Sequence, residues 1–295
     1  MKYYIGLDIG ATKIAAALVS GKKIIKKARV ETQVKKGRQR VLKNINLAVN
    51  TVWSPKVKGI GIGIAGKVDR KKGIFVKGPN FDKNFKNVNL RNYLQTAFKV
   101  PLKIENDANC FVLAEAIHGI AKNYNHVVGL TLGTGVGGGI VINKQVYHGS
   151  TGSAGELGHI TIQNSGLKCS CGHRGHLEAY ASGKATSNLY KKLSGRRLHP
   201  LEIEANAKKG NKKALTVFNT MSDSLAAGLS SIIYSLNPDI IVLGGGLAKV
   251  KIYISPAIKL AKKKLVYSSL NKTKIVTNPN SSNMAILGAT LLFKK

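Results

Sequence analysis

The first half of the chain alternates short apolar runs with turn residues, a pattern typical of β-strands joined by tight bends. A glycine and a threonine lie in the first bend, at residues 10–12. A strand meander followed by a helix and a further buried strand indicates a mixed α/β domain. The predicted strands are 3–9, 14–19, a third from residue 23 and 59–65, and the predicted helix lies near 38–53.

The second half repeats this arrangement about 123 residues further along the chain. A strand at 127–132 runs into a glycine-rich turn at 133–138, and a returning strand follows at 139–143. A repeat of this length predicts a duplicated domain rather than a solenoid. Two such domains facing each other would place both glycine turns on one cleft, where ligands often bind. The remaining elements are helices at about 178–193, 200–208 and 211–235 and a buried strand at 240–243.

The charge balance of the chain is strongly basic. Its 295 residues include 47 lysines and arginines and 13 acidic residues, which gives a formal net charge of +34. The lysines are scattered in short groups such as 262–264, so a solvated basic surface is favoured over a nucleic-acid site, with a polyanion-binding surface as the alternative. Acidic residues are rare, and six of the 13 fall in the motifs discussed below: Asp8, Asp69, Glu105, Asp107, Glu156 and Glu178.

Targeting and redox signals are weak in this sequence. No apolar run approaches the roughly 20 residues that a membrane-spanning helix needs, and the first residues lack the layout of a signal peptide. We therefore expect a cytoplasmic protein with no membrane partner. Three cysteines are too few for a disulfide framework, and the C-x-C spacing of Cys169 and Cys171 indicates metal binding instead.

Two glycine turns carry groups that bind phosphate. Residues 8–13 (DIGATK) combine a carboxylate, a glycine, a hydroxyl and a cation at one bend, and residues 133–135 (GTG) offer similar chemistry. Either turn alone could be an ordinary hairpin, but the pair favours a phosphate site. A dinucleotide-binding fingerprint is a poor fit, because the second turn leads to a strand and not to a helix. The predicted phosphate-binding residues are Asp8, Gly10, Thr12, Lys13, Gly133, Thr134 and Gly135.

Several motifs in this order resemble the ROK family (repressor, open reading frame, kinase) over essentially the whole chain. The resemblance implies an α/β, two-domain ribonuclease H-like (actin/hexokinase-type) fold with an interdomain cleft. It also implies a sugar and phosphate domain at 1–112, joined by a C-terminal helix at about 284–295, and a nucleotide, zinc and dimerisation domain at 113–283. The matching segments are 8–13, 61–69, 79–80, 105–109, 132–139, 155–159 and 169–175.

The ROK family contains both kinases and transcriptional repressors. The repressors carry a winged helix-turn-helix before the first phosphate loop, and Asp8 stands too near the start of this sequence to leave room for one. The kinase branch is therefore expected, with ATP and Mg²⁺, a hexose as the second substrate and a homodimer as the assembly. Glucose is the simplest substrate. The alternatives are an N-acetylhexosamine (ManNAc or GlcNAc) or fructose kinase and, from another class, a sugar-sensing or nucleic-acid-binding regulator.

The resemblance assigns the catalytic base to Asp107. Phosphoryl transfer to an alcohol needs an acceptor for the hydroxyl proton, which a carboxylate supplies. The alternative is that Asp107 only caps the helical run that follows it. The glycines at the end of strand 240–243, Gly244, Gly245 and Gly246, match the family's adenosine segment. The positions that match sugar-binding residues are Gly66, Lys67, Asn80, Asn106, Asp107, Glu156, His159 and Glu178.

A structural zinc site is the last feature that the resemblance implies. His159, Cys169 and Cys171 match three family ligands, and His176 stands where the family usually has a fourth cysteine. Histidine also binds zinc, so a tetrahedron of two cysteines and two histidines is expected, with His173 as a rival fourth ligand. Zinc would hold His159 by one ring nitrogen while the other faces the sugar. The alternative is a metal-free, glycine-rich loop with two free thiols.

Overall fold

The computed structural model describes residues 2–278 and 281–294 and divides the chain into two compact units. The first unit comprises the chain up to Asn123, Lys144–Ala154 and the segment from Ser282 onward. The second unit comprises Tyr124–Asn143 and Gly155–Ser281. The boundary predicted at 112/113 falls inside a helix of the first unit.

Most of the longer strands of the two units were predicted from short apolar runs, whereas several short strands were not predicted. One difference is the returning strand of the second hairpin, which begins at Val136 rather than at Gly139, because Val136 already pairs with Leu132. In chain order the strands are β1 (Tyr3–Ile9), β2 (Lys13–Ser20), β3 (Lys23–Glu31), β4 (Val57–Ile64), β5 (Lys67–Asp69), β6 (Ile74–Lys77), β7 (Val88–Asn89), β8 (Leu102–Asn106), β9 (His126–Leu132), β10 (Val136–Ile142), β11 (Gln145–Val146), β12 (Ile240–Gly244) and β13 (Lys274–Thr277).

The helices predicted at 38–53, 200–208 and 211–235 are present, and two further helices, Leu90–Phe98 and Lys251–Lys263, were not predicted. The helix predicted at 178–193 breaks at Ser182, whose extended backbone ends one helix while its side chain accepts a hydrogen bond from the N–H of Ala185 and caps the next. Among residues 2–278 and 281–294, no helix is both long and apolar enough to cross a membrane. In chain order the helices are α1 (Arg38–Val52), α2 (Leu90–Phe98), α3 (Asp107–Ile117), α4 (Glu178–Ala181), α5 (Gly183–Ser194), α6 (Pro200–Lys208), α7 (Lys212–Leu236), α8 (Lys251–Lys263) and α9 (Met284–Leu291).

A five-stranded sheet in the order β3-β2-β1-β4-β8 forms the core of the first unit. Both faces of β2 are buried: Ile14, Ala16 and Leu18 join the apolar cluster that includes α1, and the alternate residues pack against Ile286 of α9. Covering on both faces explains why β2 reads as a continuous apolar run rather than as an alternating one. Strands β1, β4 and β8 are mutually parallel, so their carboxyl ends lie at one edge of the sheet.

The second unit repeats the central arrangement of the first. Its hairpin β9–β10 is antiparallel, β12 pairs in parallel with β9, and β13 pairs in parallel with β12. In the first unit the hairpin β1–β2 and the parallel strand β4 have the same relationship. The apolar faces of α7 and α8 pack on this second sheet, with Leu225 and Tyr253 fully buried. The topology therefore contains the repetition that the sequence predicted.

Candidate active site and metal centre

The parallel strands of the first unit bring two of the predicted carboxylates to the same sheet edge. Asp8 lies near the end of β1, in register with Gly63 of β4, and Asp107 follows directly after β8. A Cβ atom placed on Gly63 would stand 3.5 Å from the Cα of Asp107. Because all three strands run in one direction, residues far apart in sequence meet at this edge.

The pKa of the buried Cys110 thiol also indicates that these carboxylates lie close together. Burial raises the pKa of the Cys110 thiol well above its ordinary value, and the negative charges of Glu105, Asp107 and Asp8 raise it further. One buried atom therefore senses three carboxylates that come from two strands and one helix. Cys110 remains a protonated, apolar thiol at neutral pH and is a packing residue of α3.

Asn106, rather than Asp107, caps helix α3. Its side-chain oxygen accepts hydrogen bonds from the N–H groups of Ala108 at 2.8 Å and Asn109 at 3.2 Å. Asp107 is the first residue of the helix, where the helix dipole favours a negative charge. The interpretation of Asp107 as a mere helix cap is therefore wrong, because an asparagine one position earlier already performs that role.

Asn106 also ties the start of α3 to the turn that contains Gly66. Its Nδ2 group donates to the carbonyl oxygen of Gly66 at 3.2 Å. Gly66 has φ 138°, and a Cβ atom there would lie 2.4 Å from the carbonyl oxygen of Lys77, so only glycine fits. Lys67 pairs with Lys77 across β5 and β6, and Asn80 lies exposed in the turn just beyond. The structure thus groups Gly66, Lys67 and Asn106, with Asn80 on the adjoining turn.

The predicted phosphate loop at 8–13 is anchored by Thr32, a residue that the sequence patterns did not single out. Its hydroxyl donates to the carbonyl oxygen of Gly10 at 2.6 Å, and its N–H donates to the carbonyl oxygen of Thr12 at 3.1 Å. Burial raises the pKa of Asp8 above its ordinary value, although the positive charges of Lys13 and Lys27 partly oppose this. A fully buried threonine just after the end of a strand is usually a packing residue, so no local signal marked it.

The second unit places its two predicted glycine segments at the ends of neighbouring parallel strands. The turn 133–135 follows β9, and the carbonyl oxygens of Gly133 and Thr134 accept hydrogen bonds from the N–H groups of Gly183 at 2.8 Å and Lys184 at 3.3 Å. Gly244 pairs with Thr131 at the end of β12, so the glycines at 244–246 lie beside this turn. The first residues of α5 therefore hold the turn 133–135 in place through two backbone hydrogen bonds.

Glu178 contacts the glycine turn and the cysteine loop at once. One of its carboxylate oxygens accepts from the N–H of Val136 at 3.0 Å, and the other accepts from the hydroxyl of Ser170 at 2.6 Å. A Cβ atom on Gly135 would lie 2.4 Å from the first of these oxygens, so a side chain at position 135 would displace the carboxylate. The carboxylate is therefore held from two sides.

Four of the predicted metal ligands converge in the second unit. The ligand atoms of His159, Cys169, Cys171 and His176 all lie within 4.8 Å of one another. The Nδ1 of His159 is 3.7 Å from Cys169 Sγ, and the Nδ1 of His176 is 3.2 Å from Cys171 Sγ. Zinc bonds of about 2.3 Å to sulfur and about 2.0 Å to nitrogen place tetrahedral ligands about 3.3–3.8 Å apart, so this set fits zinc after a small contraction.

The rival ligand His173 lies at the edge of the cluster. Its Nδ1 is 3.9 Å from Cys171 Sγ, and it is not one of the four residues whose ligand atoms converge. Burial lowers the pKa of His176, as does the proximity of His159 and His173, whereas burial raises the pKa of the Cys169 thiol. A neutral imidazole can bind a cation through its free ring nitrogen, whereas a thiol must lose its proton when the cation binds.

Glu156 and His159 belong to one tight turn next to this cluster. The N–H of His159 donates to the carbonyl oxygen of Glu156 at 2.9 Å, and Glu156 is exposed. With Nδ1 of His159 directed at Cys169, its Nε2 is the ring nitrogen on the other side. The turn therefore connects a predicted sugar-binding carboxylate to the candidate metal centre through two intervening residues.

Comparisons with known proteins place the chain among sugar kinases. Glucokinase of Thermotoga maritima is 33% identical over 99% of this chain and 97% of its own length. N-acetyl-D-glucosamine kinase of Mannheimia succiniciproducens is 33% identical, with 98% of each chain covered. The structure of a ROK family glucokinase from Streptomyces griseus in complex with glucose and AMPPNP is 28% identical, with 98% of both chains covered and a TM-score of 0.86.

The similarity extends over the whole length of the chain and not only over its motifs. The sequence profile of the ROK family matches residues 4–295. The predicted fold class is confirmed, since the mixed α/β structure matches ROK sugar-kinase structures of the actin/hexokinase type. Sequence, fold and motif order agree, and this protein belongs to the ROK family.

Proposed function

We propose that this protein is a sugar kinase that transfers the γ-phosphoryl group of ATP to a hydroxyl group of a hexose. The observation that carries the proposal is the meeting of Asp8 and Asp107 at one edge of a parallel sheet, with Asp107 at the start of α3. Relatives named glucokinase and N-acetyl-D-glucosamine kinase support hexose phosphorylation.

The proposed reaction needs one general base. The Asp107 carboxylate accepts the proton of the sugar hydroxyl while the hydroxyl oxygen bonds to the γ-phosphorus. The bond from that phosphorus to the bridging oxygen breaks, and its electron pair leaves with ADP. Asp107 then releases its proton to solvent, so each turnover converts ATP and hexose into ADP, hexose phosphate and one proton.

The phosphate-binding role is assigned to the glycine turns of the two units. Mg²⁺ bound with ATP neutralises phosphate charge, and Asp8 is the carboxylate that we assign to that ion and its waters. Thr12 and Lys13 supply a hydroxyl and a cation, and Gly10 lets the backbone approach the anion. The remaining proposed nucleotide-binding residues are Gly133, Thr134, Gly135, Gly244, Gly245 and Gly246.

Sugar binding is assigned to side chains that can each engage two neighbouring hydroxyls. Carboxylates and amides suit this role, and the backbone at Gly66 lets the chain come close to a ligand. Two of the residues, Asn106 and Glu178, already have partners in the protein that hold their direction. The proposed set is Gly66, Lys67, Asn80, Asn106, Asp107, Glu156, His159 and Glu178.

A structural zinc ion is proposed for the cluster of His159, Cys169, Cys171 and His176. When bound, zinc would supply cross-linking of the loop and no chemistry on the phosphate. Holding His159 through Nδ1 leaves Nε2 for a hydroxyl group, which is how an orienting metal tunes a binding side chain. The homodimer and the cytoplasmic location stay predictions.

Glucose is the first proposed substrate and an N-acetylhexosamine is the second. Both are kept because a relative named glucokinase and a relative named N-acetyl-D-glucosamine kinase are each 33% identical to this chain. The test is ADP formation by purified protein with ATP and Mg²⁺ and a panel of glucose, GlcNAc, ManNAc and fructose. We expect hexose-dependent ADP formation, with the highest kcat/KM for glucose. A higher kcat/KM for GlcNAc or ManNAc would establish the alternative substrate, and no turnover with any sugar would overturn the kinase assignment.

Asp8→Asn is expected to lower kcat by about 10²-fold or more, since a charged ligand for the Mg²⁺–ATP complex is lost. The same change should raise the Tm of the ligand-free protein at neutral pH. Burial raises the pKa of Asp8 in the folded state, so ionised Asp8 is less favourable in the folded than in the unfolded chain. This cost is present above the folded-state pKa and disappears as the pH falls below the unfolded value.

Thermal unfolding of the two proteins across a range of pH measures this effect. The Tm advantage of Asp8→Asn should be largest at neutral pH and shrink towards acid pH, where the carboxyl group is protonated in both states. A variant that is both less stable at neutral pH and fully active would contradict the assignment of Asp8 to the phosphate site.

A further inference from the structure

Glu105 is a buried carboxylate that stands two residues before the proposed base Asp107. Its side chain is 3% exposed, and it is not one of the proposed substrate ligands. Burying a carboxylate is unfavourable unless hydrogen bonds or opposite charges satisfy it. Its partners therefore indicate what the chain gains from placing a charge at this position.

One carboxylate oxygen of Glu105 holds the residues on both sides of Asp107. Its Oε1 accepts a hydrogen bond from the N–H of Asn106 at 2.9 Å and another from Nδ2 of Asn109 at 3.0 Å. Asn106 is the cap of α3, and Asn109 is a buried residue of its first turn. Glu105 thus clamps the strand end and the helix start between which Asp107 lies.

The other carboxylate oxygen is fixed by two basic side chains from distant parts of the first unit. Its Oε2 is 2.7 Å from Nε2 of His148 and 3.7 Å from Nε of Arg70. His148 is mostly buried, and its carbonyl oxygen accepts from the N–H of Ala154 at 3.1 Å, which closes the loop that carries it. The carboxylate cannot turn without losing contacts in three separate segments.

We propose that Glu105, anchored by His148 and Arg70, is a positioning residue that sets the direction of the Asp107 carboxylate. The inference rests on the proposed phosphoryl transfer. Asp107 opens α3, so a small rotation of the first helical turn would move its side chain away from the attacking hydroxyl. A displacement of about 1 Å can lower a reaction rate by about 10²-fold.

Because Glu105 acts through Asp107 and not on the substrate, its loss lowers kcat and changes KM little. Glu105→Gln is expected to lower kcat by about 10- to 100-fold. His148→Ala is expected to lower kcat by about 10-fold, and His148→Gln, whose amide still donates to Oε2, restores most of that loss. The kcat of the double variant Glu105→Gln with His148→Ala is expected to be no lower than that of Glu105→Gln alone, because both changes remove the same contact between the two side chains.

The experiment measures kcat and the two KM values of these variants with the best substrate of the panel, with circular dichroism and Tm as checks of folding. His126→Ala is the matched control. His126 also pairs with a carboxylate, Asp239, at 3.5 Å, but this pair is exposed and lies in the second unit. The control is expected to keep the wild-type kcat.

Wild-type kcat in a folded His148→Ala protein overturns the inference, and so does a raised KM with unchanged kcat, which would mark substrate binding instead. If Glu105→Gln does not fold, the comparison of His148→Ala with His148→Gln decides, since His148 is partly exposed. These results presuppose an active wild-type enzyme. A wild-type protein without hexose-dependent ADP formation overturns the proposed function, and the inference with it, so the two failures are distinguishable.

Discussion

Replacing Asp107 with asparagine is expected to lower kcat by about 10²- to 10⁴-fold, the usual contribution of a general base. Asparagine has nearly the same shape, so it can occupy the first position of α3, but its amide cannot accept the hydroxyl proton. The cap of the helix is Asn106, which the substitution leaves intact. Loss of a favourable charge at the helix start should cost only about 0.3–1 kcal/mol of stability.

Steady-state kinetics with hexose and Mg²⁺–ATP measure this effect, and both KM values should change far less than kcat. Asp223→Asn is the matched control, because it makes the same chemical change at an exposed position of α7. It should keep wild-type kcat and Tm. If Asp107→Asn retained wild-type turnover while folded, another residue would have to serve as the base.

Loss of the metal centre is the second large expected effect. Cys169→Ser is expected to reduce bound zinc from about one equivalent per chain to a small fraction, because the serine hydroxyl replaces a thiolate ligand. Cys169 is 3.7 Å from Nδ1 of His159, so this histidine loses its anchor. The KM for hexose should then rise by about 10- to 100-fold, the usual effect of losing an orienting partner, while the KM for ATP changes little.

Elemental analysis of purified protein measures the zinc content, and kinetics with each substrate varied in turn measure the two KM values. His176→Ala should behave like Cys169→Ser, and His173→Ala is the matched control because His173 lies outside the converging set. If His176→Ala retained zinc and His173→Ala lost it, His173 rather than His176 would be the fourth zinc ligand. Wild-type protein that binds no zinc would overturn the metal centre altogether.

Strands and glycine turns were the part of the fold that the sequence predicted well. Apolar residues alternate or run continuously over about five to eight positions, and this local pattern predicts β-structure whatever the rest of the chain does. The predicted strands at 3–9 and 240–243 correspond to β1 (Tyr3–Ile9) and β12 (Ile240–Gly244). The break at Ser182 was missed because a helix-like pattern continues across it, and the capping hydrogen bond shows only in the folded backbone.

The composition of the candidate site was also readable in part. The pair Cys169 and Cys171 indicated a metal loop, and in the structure these residues lie in the converging cluster. His148 and Thr32 were missed, because neither belongs to a motif. Each matters only through a contact with a residue more than about 20 positions away in the sequence. His148 contacts Glu105, and Thr32 contacts Gly10.

The sequence by itself determined the local elements, the acidic and glycine residues at the strand ends and the resemblance to the ROK family. Neighbours along the chain create those features through helix and strand periodicity and through turn chemistry. The tertiary structure alone decided that Asn106 and not Asp107 caps α3 and that Glu105 meets His148, and it brought His176 rather than His173 into the converging histidine and cysteine cluster. Such contacts depend on strand order and on the packing of distant segments, which no short stretch of sequence encodes.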